Sequence, residues 1–124
     1  MKIRLKGNSL RIRLSKPEVT ALAGNKDLED HTSFGPHRLS YRVTTTPQGE
    51  TLSASFDNNT ITLLVPSSLL HDWADNAIVG FDARMPLPGD EQLYLLLEKD
   101  FKCIDRTTED ESLNFEHPSK SCAV

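Results

Sequence analysis

Apolar and charged residues alternate from Lys2 to Leu14. Ile3 and Leu5 fall on one side, with Lys2, Arg4 and Lys6 on the other. After Gly7-Asn8-Ser9, Leu10, Ile12 and Leu14 continue the apolar side while Arg11 and Arg13 continue the charged one. A period of two interrupted by a Gly-Asn turn predicts a β-hairpin with one buried and one wet face. Ser15 to Glu18 then forms a capping box, in which the serine hydroxyl and the glutamate carboxylate satisfy N–H groups of the first turn. Pro17 sits where a missing N–H costs little. Val19, Leu22 and Ala23 share a face at helical spacing, and Gly24-Asn25 supplies a stop. The expectation is a helix over 16–23, too short to persist unless it packs on the sheet.

Residues 28–34 read as a short strand ended by Gly35-Pro36. Leu39, Tyr41 and Val43 alternate with Ser40, Arg42 and Thr44, and Pro47-Gln48-Gly49-Glu50 reads as a turn. Leu52, Ala54 and Phe56 alternate into Asp57-Asn58-Asn59, a second tight turn, and Ile61, Leu63 and Val65 follow. A second helix is expected from Pro66-Ser67-Ser68, with an apolar stripe of Leu69, Leu70, Trp73, Ala74 and Ala77, ending near Asp75-Asn76. Val79, Phe81 and Ala83 predict a strand, Pro86 to Asp90 a turn, and Leu93 to Leu97 the best candidate for a central strand.

The two halves share an order. The offset that carries Leu10-x-Ile12-x-Leu14 onto Ile61-x-Leu63-x-Val65 also carries Val19 and Leu22-Ala23 onto Leu70 and Trp73-Ala74. One reading is a hairpin–helix–hairpin unit present twice; the other is chance recurrence of a common local pattern. Repetition predicts pseudo-two-fold symmetry, with both helices on one face of a sheet or barrel. The fold class is therefore α+β: a mostly antiparallel sheet of seven to nine strands, open or barrel-like, with two short helices. The expected core is Ile3, Leu5, Leu10, Ile12, Leu14, Val19, Leu22, Tyr41, Val43, Phe56, Ile61, Leu63, Leu70, Trp73, Phe81, Leu93 and Leu95.

Composition adds bounds. A chain of 124 residues with 37% hydrophobic content suits one domain with its own core. Residues 1–104 read as that domain. Residues 105–124 read as an acidic, irregular C-terminal tail. The start carries charges within its apolar pattern and does not read as a signal peptide, and no stretch approaches the length of a membrane helix. Two cysteines are too few for a disulfide framework. The expected location is cytoplasmic, with no membrane partner and no cofactor. A net charge of −4 argues against a general nucleic-acid binder.

Three phrases carry a likeness. The start Met1-Lys2-Ile3-Arg4-Leu5-Lys6-Gly7-Asn8-Ser9-Leu10-Arg11, the stretch Ser53-Ala54-Ser55-Phe56-Asp57-Asn58-Asn59-Thr60-Ile61, and Glu98-Lys99-Asp100-Phe101-Lys102-Cys103 resemble a family of short uncharacterised bacterial proteins, a domain of unknown function. The resemblance runs over nearly the whole length. It implies an intracellular bacterial protein and supplies no activity or catalytic residue. The phrase Cys103-x-Asp105-Arg106 shares the family look; His117 and Cys122 do not belong to the pattern.

Three constellations could carry chemistry. Lys2, Arg4, Lys6, Arg11, Arg13 and Lys16 all precede the first acid of the chain, Glu18. The alternation places the first five on one face, able to bind phosphates or carboxylates. The bland alternative is a solvated face balanced by the acidic tail. That face shows no aromatic residue to stack a base, which weighs against single-stranded nucleic acid. Cys103, Asp105, His117 and Cys122 are suitable zinc ligands by type, but the spacing lacks a Cys-x-x-Cys pair. Acids and histidines also cluster, with Glu109, Asp110 and Glu111 near His117, and Asp27, Glu29 and Asp30 near His31 and His37. They lie in polar segments without a nucleophile elbow, P-loop or dinucleotide fingerprint. His71-Asp72 reads as surface and Trp73 as a core anchor. The sequence names no activity. Its leading expectation is a small intracellular binding or adaptor module using the basic face, with an acidic protein or peptide as partner. The alternatives are an enzyme of unrecognised type, or a metal-binding protein using Cys103 and His117.

Overall fold

The computed structural model describes residues 1–101. Eight strands form two four-stranded sheets. The elements run β1 (Lys2–Lys6), β2 (Ser9–Leu14), α1 (Lys16–Ala23), β3 (Leu28–Ser33), β4 (Arg38–Thr46), β5 (Ser53–Asp57), β6 (Thr60–Pro66), two 3-10 turns (Ser67–Leu70 and Trp73–Asp75), β7 (Gly80–Pro86) and β8 (Gln92–Lys99). The first sheet has the order β1-β2-β8-β7, the second β3-β4-β6-β5. Each sheet is two antiparallel hairpins joined at its centre by one parallel pair, β2 with β8 and β4 with β6.

The repeat visible in the sequence is a repeat in space. The same offset carries the pair Lys2↔Arg13 of the first hairpin onto Ser53↔Leu64 of the third. The parallel junctions match as well: Tyr94 N–H donates to Asn8 O (3.0 Å) in one sheet, and Ser40 N–H donates to Asn59 O (2.9 Å) in the other. Each half contributes one hairpin to each sheet, so the hairpins are exchanged between halves. A tight turn closes each leading hairpin. Gly7 takes φ +53° in one, and Asn58 and Asn59 take φ 51° and 58° in the other, a left-handed conformation that asparagine and glycine tolerate.

The helix forms where its capping box places it. Ser15 Oγ accepts from Glu18 N–H, and Glu18 Oε1 accepts from Ser15 N–H at 2.8 Å. Glu18 Oε2 also takes the terminal amine of Met1 at 2.7 Å. Partial burial alone would raise the Glu18 pKa. The hydrogen bonds from the amine and Ser15 outweigh it, and the carboxyl titrates below its ordinary value. Glu18 therefore binds its proton more weakly folded than unfolded. Its contribution is present above the unfolded pKa and is lost as pH falls through the lower folded one. Glu18→Gln is expected to cost about 1 kcal/mol or less at pH 7, after solvent screening, and still less at pH 3. Urea titrations of both chains at the two pH values check this; an equal gap at both would refute it.

The second helical segment differs from expectation. It is not one helix but two 3-10 turns, interrupted at Asp72, which adopts φ 59°. Its anchors still point inward, Leu70 and Trp73 being buried. The inner faces of both sheets, α1 and these turns enclose one core: Leu10, Ile12, Leu14, Val19, Leu22, Val43, Leu52, Leu63, Val65, Leu70, Trp73, Leu95 and Leu97. β8 is internal, as its apolar run predicts. Ile3, Ile61, Phe81 and Leu93 pack against the core from its rim, and Tyr41 is half-buried. Tyr41 is outside the core, and two further expected core residues are largely exposed: Leu5 at 59% and Phe56 at 64%. They occupy equivalent places in the repeat, beside the turns of the edge strands β1 and β5. Leu10, the partner of Leu5 on the inner strand, is 2% exposed. Alternation gives a residue its side, and the strand's place in the sheet decides whether anything covers it.

Candidate functional site

The antiparallel register of β1 and β2 sets Lys2 opposite Arg13, Arg4 opposite Arg11 and Lys6 opposite Ser9. All five bases picked out by the alternation thus share the outer face of the first sheet. The next strand brings its own groups to that face. Ser9 lies beside Tyr94, and Arg13 beside Glu98. Arg84 and Asp82 complete it from β7, opposite Tyr94 and Leu96.

Some of the charge is answered within the sheet. Arg11 Nε and Glu98 Oε1 form a close ion pair whose side chains are 14% and 18% exposed. Lys2 Nζ lies 3.0 Å from Asp100 Oδ2. Arg4 is also engaged. Among the described residues, the side chains of Lys6 and Arg13 make neither an ion pair nor a hydrogen bond. They stand at opposite ends of the hairpin, beside the turn and across from Lys2.

The expectation that this face lacks an aromatic residue is corrected by Tyr94. Period two within one hairpin could not show it, because the ring arrives on β8, which pairs with β2 from the far end of the described chain. Its hydroxyl donates to Asp82 Oδ2 at 3.1 Å, and that carboxylate holds the phenol above its ordinary pKa. The Arg84 guanidinium lies 4.8 Å from the ring centroid, so one side of the ring is already in cation–π contact.

The histidines and acids of the first half do not converge. Asp30 and His31 project from opposite faces of β3 as neighbours in a strand must. Asp27 is engaged by β4, accepting from Thr44 Oγ1 at 2.6 Å with Arg42 Nη2 at 3.5 Å. His37 borders a wide groove of about 410 Å³ together with Phe34, Arg38, Leu39 and Asn59, and no carboxylate lines it. His71 and Asp72 are exposed, as expected. Among the described residues no group of three or more His, Cys, Asp and Glu side chains is placed to hold a metal. Cys103, Asp105, His117 and Cys122, with Glu109, Asp110 and Glu111, lie outside the described residues. No described helix is long and apolar enough to cross a membrane.

No curated protein and no solved structure matches the chain. A family model does match over residues 1–119, and the chain belongs to that family, DUF7009, a family of unknown function.

Proposed function

We propose that this chain is an intracellular binding module of bacterial origin that engages an acidic protein segment through the outer face of β1 and β2. One observation carries the reading, and it is internal to the molecule. The hairpin of β5 and β6 repeats the hairpin of β1 and β2 in register. At the places equivalent to Lys2, Arg4, Lys6, Arg11 and Arg13 it has Ser53, Ser55, Asp57, Thr62 and Leu64. The same backbone therefore forms without a single base, and the fold does not require the charges.

The surroundings favour a protein partner over nucleic acid. Glu98 and Asp82 stand among the bases and would repel a continuous phosphate backbone. Tyr94 is tied to Asp82 and covered by Arg84, so its ring offers less stacking surface to a base. Separated carboxylates of an acidic segment can meet Lys6 and Arg13 at the two ends of the hairpin without running continuously past Asp82 and Glu98.

The test uses Lys6→Gln together with Arg13→Gln. Neither side chain is committed elsewhere among the described residues; Lys6 is exposed and Arg13 half-buried, and unpaired charges at such positions change stability by about 0.5 kcal/mol or less. A decaglutamate peptide, followed by fluorescence anisotropy in low and moderate salt, is expected to bind the double variant roughly three- to tenfold more weakly. An oligonucleotide of similar charge is expected to bind the parent chain less well than the peptide. Equal peptide binding by both chains would refute the proposal, and tighter oligonucleotide binding would reverse the choice of partner.

A further inference from the structure

The backbone of β1 extends the proposed basic face into something more specific. We infer that β1 is a docking edge, which receives an extended acidic segment of a partner protein as an added strand, with Asp or Glu alternating with apolar residues. The inference rests on the reading that the basic face binds acidic protein.

β1 is a terminal strand of its sheet, and no described strand pairs with its outer side. The hydrogen bonds of β2 fix which groups that side offers. Tyr94 N–H donates to Asn8 O and Asp100 N–H donates to Leu14 O. The even-numbered residues of β2 thus direct their backbone groups to β8, and Ser9, Arg11 and Arg13 direct theirs to β1. Across the antiparallel register, Lys2, Arg4 and Lys6 answer them. The N–H and C=O groups of Ile3 and Leu5 then point away from the sheet. Among the described residues neither has a backbone partner there.

The equivalent edge shows what a partner does. Ala54 of β5 corresponds to Ile3 in the repeat, and its N–H also points outward. There it meets Met85 Sδ of β7 at 3.4 Å. Thr32 of β3, the counterpart of Met85 by its pairing with Leu39, is exposed and makes no such contact with Ile3. Among the described residues, one edge is covered by its own chain and the other is open.

The side chains of β1 specify the chemistry of an added strand. Lys2, Arg4 and Lys6 lie on one face, and Ile3 and Leu5, the latter 59% exposed, lie on the other. A neighbouring strand places its side chains directly opposite these. Its outer positions must be acidic and its inner positions apolar. A second copy of β1 fails this requirement, since antiparallel pairing would put three bases against three bases. Lysine on an edge is a common guard against self-association; here it repels like strands and leaves the edge available to an acidic one. Addition of this kind draws affinity from main-chain hydrogen bonds and selectivity from alternate side chains.

The probe is the capped hexapeptide Glu-Val-Glu-Val-Glu-Val, titrated into the full chain and followed by amide NMR. Its block isomer, Glu-Glu-Glu-Val-Val-Val, and two versions N-methylated on every Val or on every Glu serve as comparisons. The alternating peptide is expected to protect the Ile3 and Leu5 amides from exchange. It should bind at least about fivefold more tightly than the block isomer. One N-methylated version should lose at least about tenfold in affinity while the other keeps it, because only alternate amides of an added strand face β1. Equal binding of both N-methylated versions, or Ile3 and Leu5 amides already protected in the free chain, would overturn the docking edge. If decaglutamate binds and the alternating peptide binds no better, the edge falls while the acidic-partner reading stands. If neither binds, both fall.

Discussion

Replacing Trp73 by alanine is expected to remove about 3–5 kcal/mol of folding stability, among the largest losses any single truncation here would cause. The indole is fully buried, and its ring centroid lies 5.0 Å from that of Phe81. It also ties down a segment with little regular structure. The indole N–H donates to Ile78 O at 2.9 Å, the Asn76 side chain accepts from Ile78 N–H, and Lys99 Nζ donates to Asn76 O at 2.7 Å while lying 5.7 Å from the Trp73 ring. Two 3-10 turns cannot hold themselves in place, so their position depends on this anchor. Trp73→Phe keeps an aromatic body and is expected to lose less, the missing N–H accounting for about 1 kcal/mol. Urea unfolding followed by far-ultraviolet circular dichroism suits the comparison, because Trp73 is the sole tryptophan. A loss under about 1 kcal/mol in the alanine variant would show that the site collapses around the gap.

Leu63→Ala is expected to cost about 2–5 kcal/mol by lost burial and an unfilled cavity. Leu63 is fully buried on an inner strand, between Val43 across the parallel pairing and Ala54 across the antiparallel one. Both neighbours are held by their own ladders and cannot easily move into the space. The equivalent position of the other sheet is Ile12, also fully buried. Ile12→Ala should therefore lose a similar amount, and a large difference between the two would show that the halves are not energetically alike. Chemical denaturation of the three chains at one pH decides it.

Periodicity made most of this architecture legible. The hairpin from Lys2 to Leu14 needed nothing beyond alternation and a Gly-Asn turn, and the helix of Lys16–Ala23 announced itself through Ser15, Glu18 and Gly24. The internal repeat was visible in Leu10-Ile12-Leu14 and Ile61-Leu63-Val65. What remained hidden depended on who sits next to whom. Leu5 and Phe56 alternate like core residues, yet their strands are edges. Leu52, Val65 and Leu97 are buried although the expected core did not include them. The second helical segment carried the right anchors, and its break at Asp72 reflects a left-handed residue that the apolar stripe did not reveal. The five bases were found together because one hairpin holds them. Glu98, Asp82, Arg84 and Tyr94 arrive on strands whose adjacency local sequence could not supply, and of these Glu98 engages one of the five bases, Arg11.

The exchange of hairpins between the halves governs the order in which the chain can become a protein. Each hairpin is local and can close as soon as its own residues are available. Neither central pairing is possible within a single hairpin, and the one between β2 and β8 joins Ser9 to Tyr94 across almost the entire described chain. The first half emerging during synthesis has both of its hairpins but no partner for the inner strand of either. Its apolar faces must wait for β6 and then β8, so loop closure comes before most of the burial that rewards it. Completion of the first sheet is thus a late event, and a nascent chain halted before Gln92 has every strand of the second sheet but presents β2 and β7 without the strand that joins them.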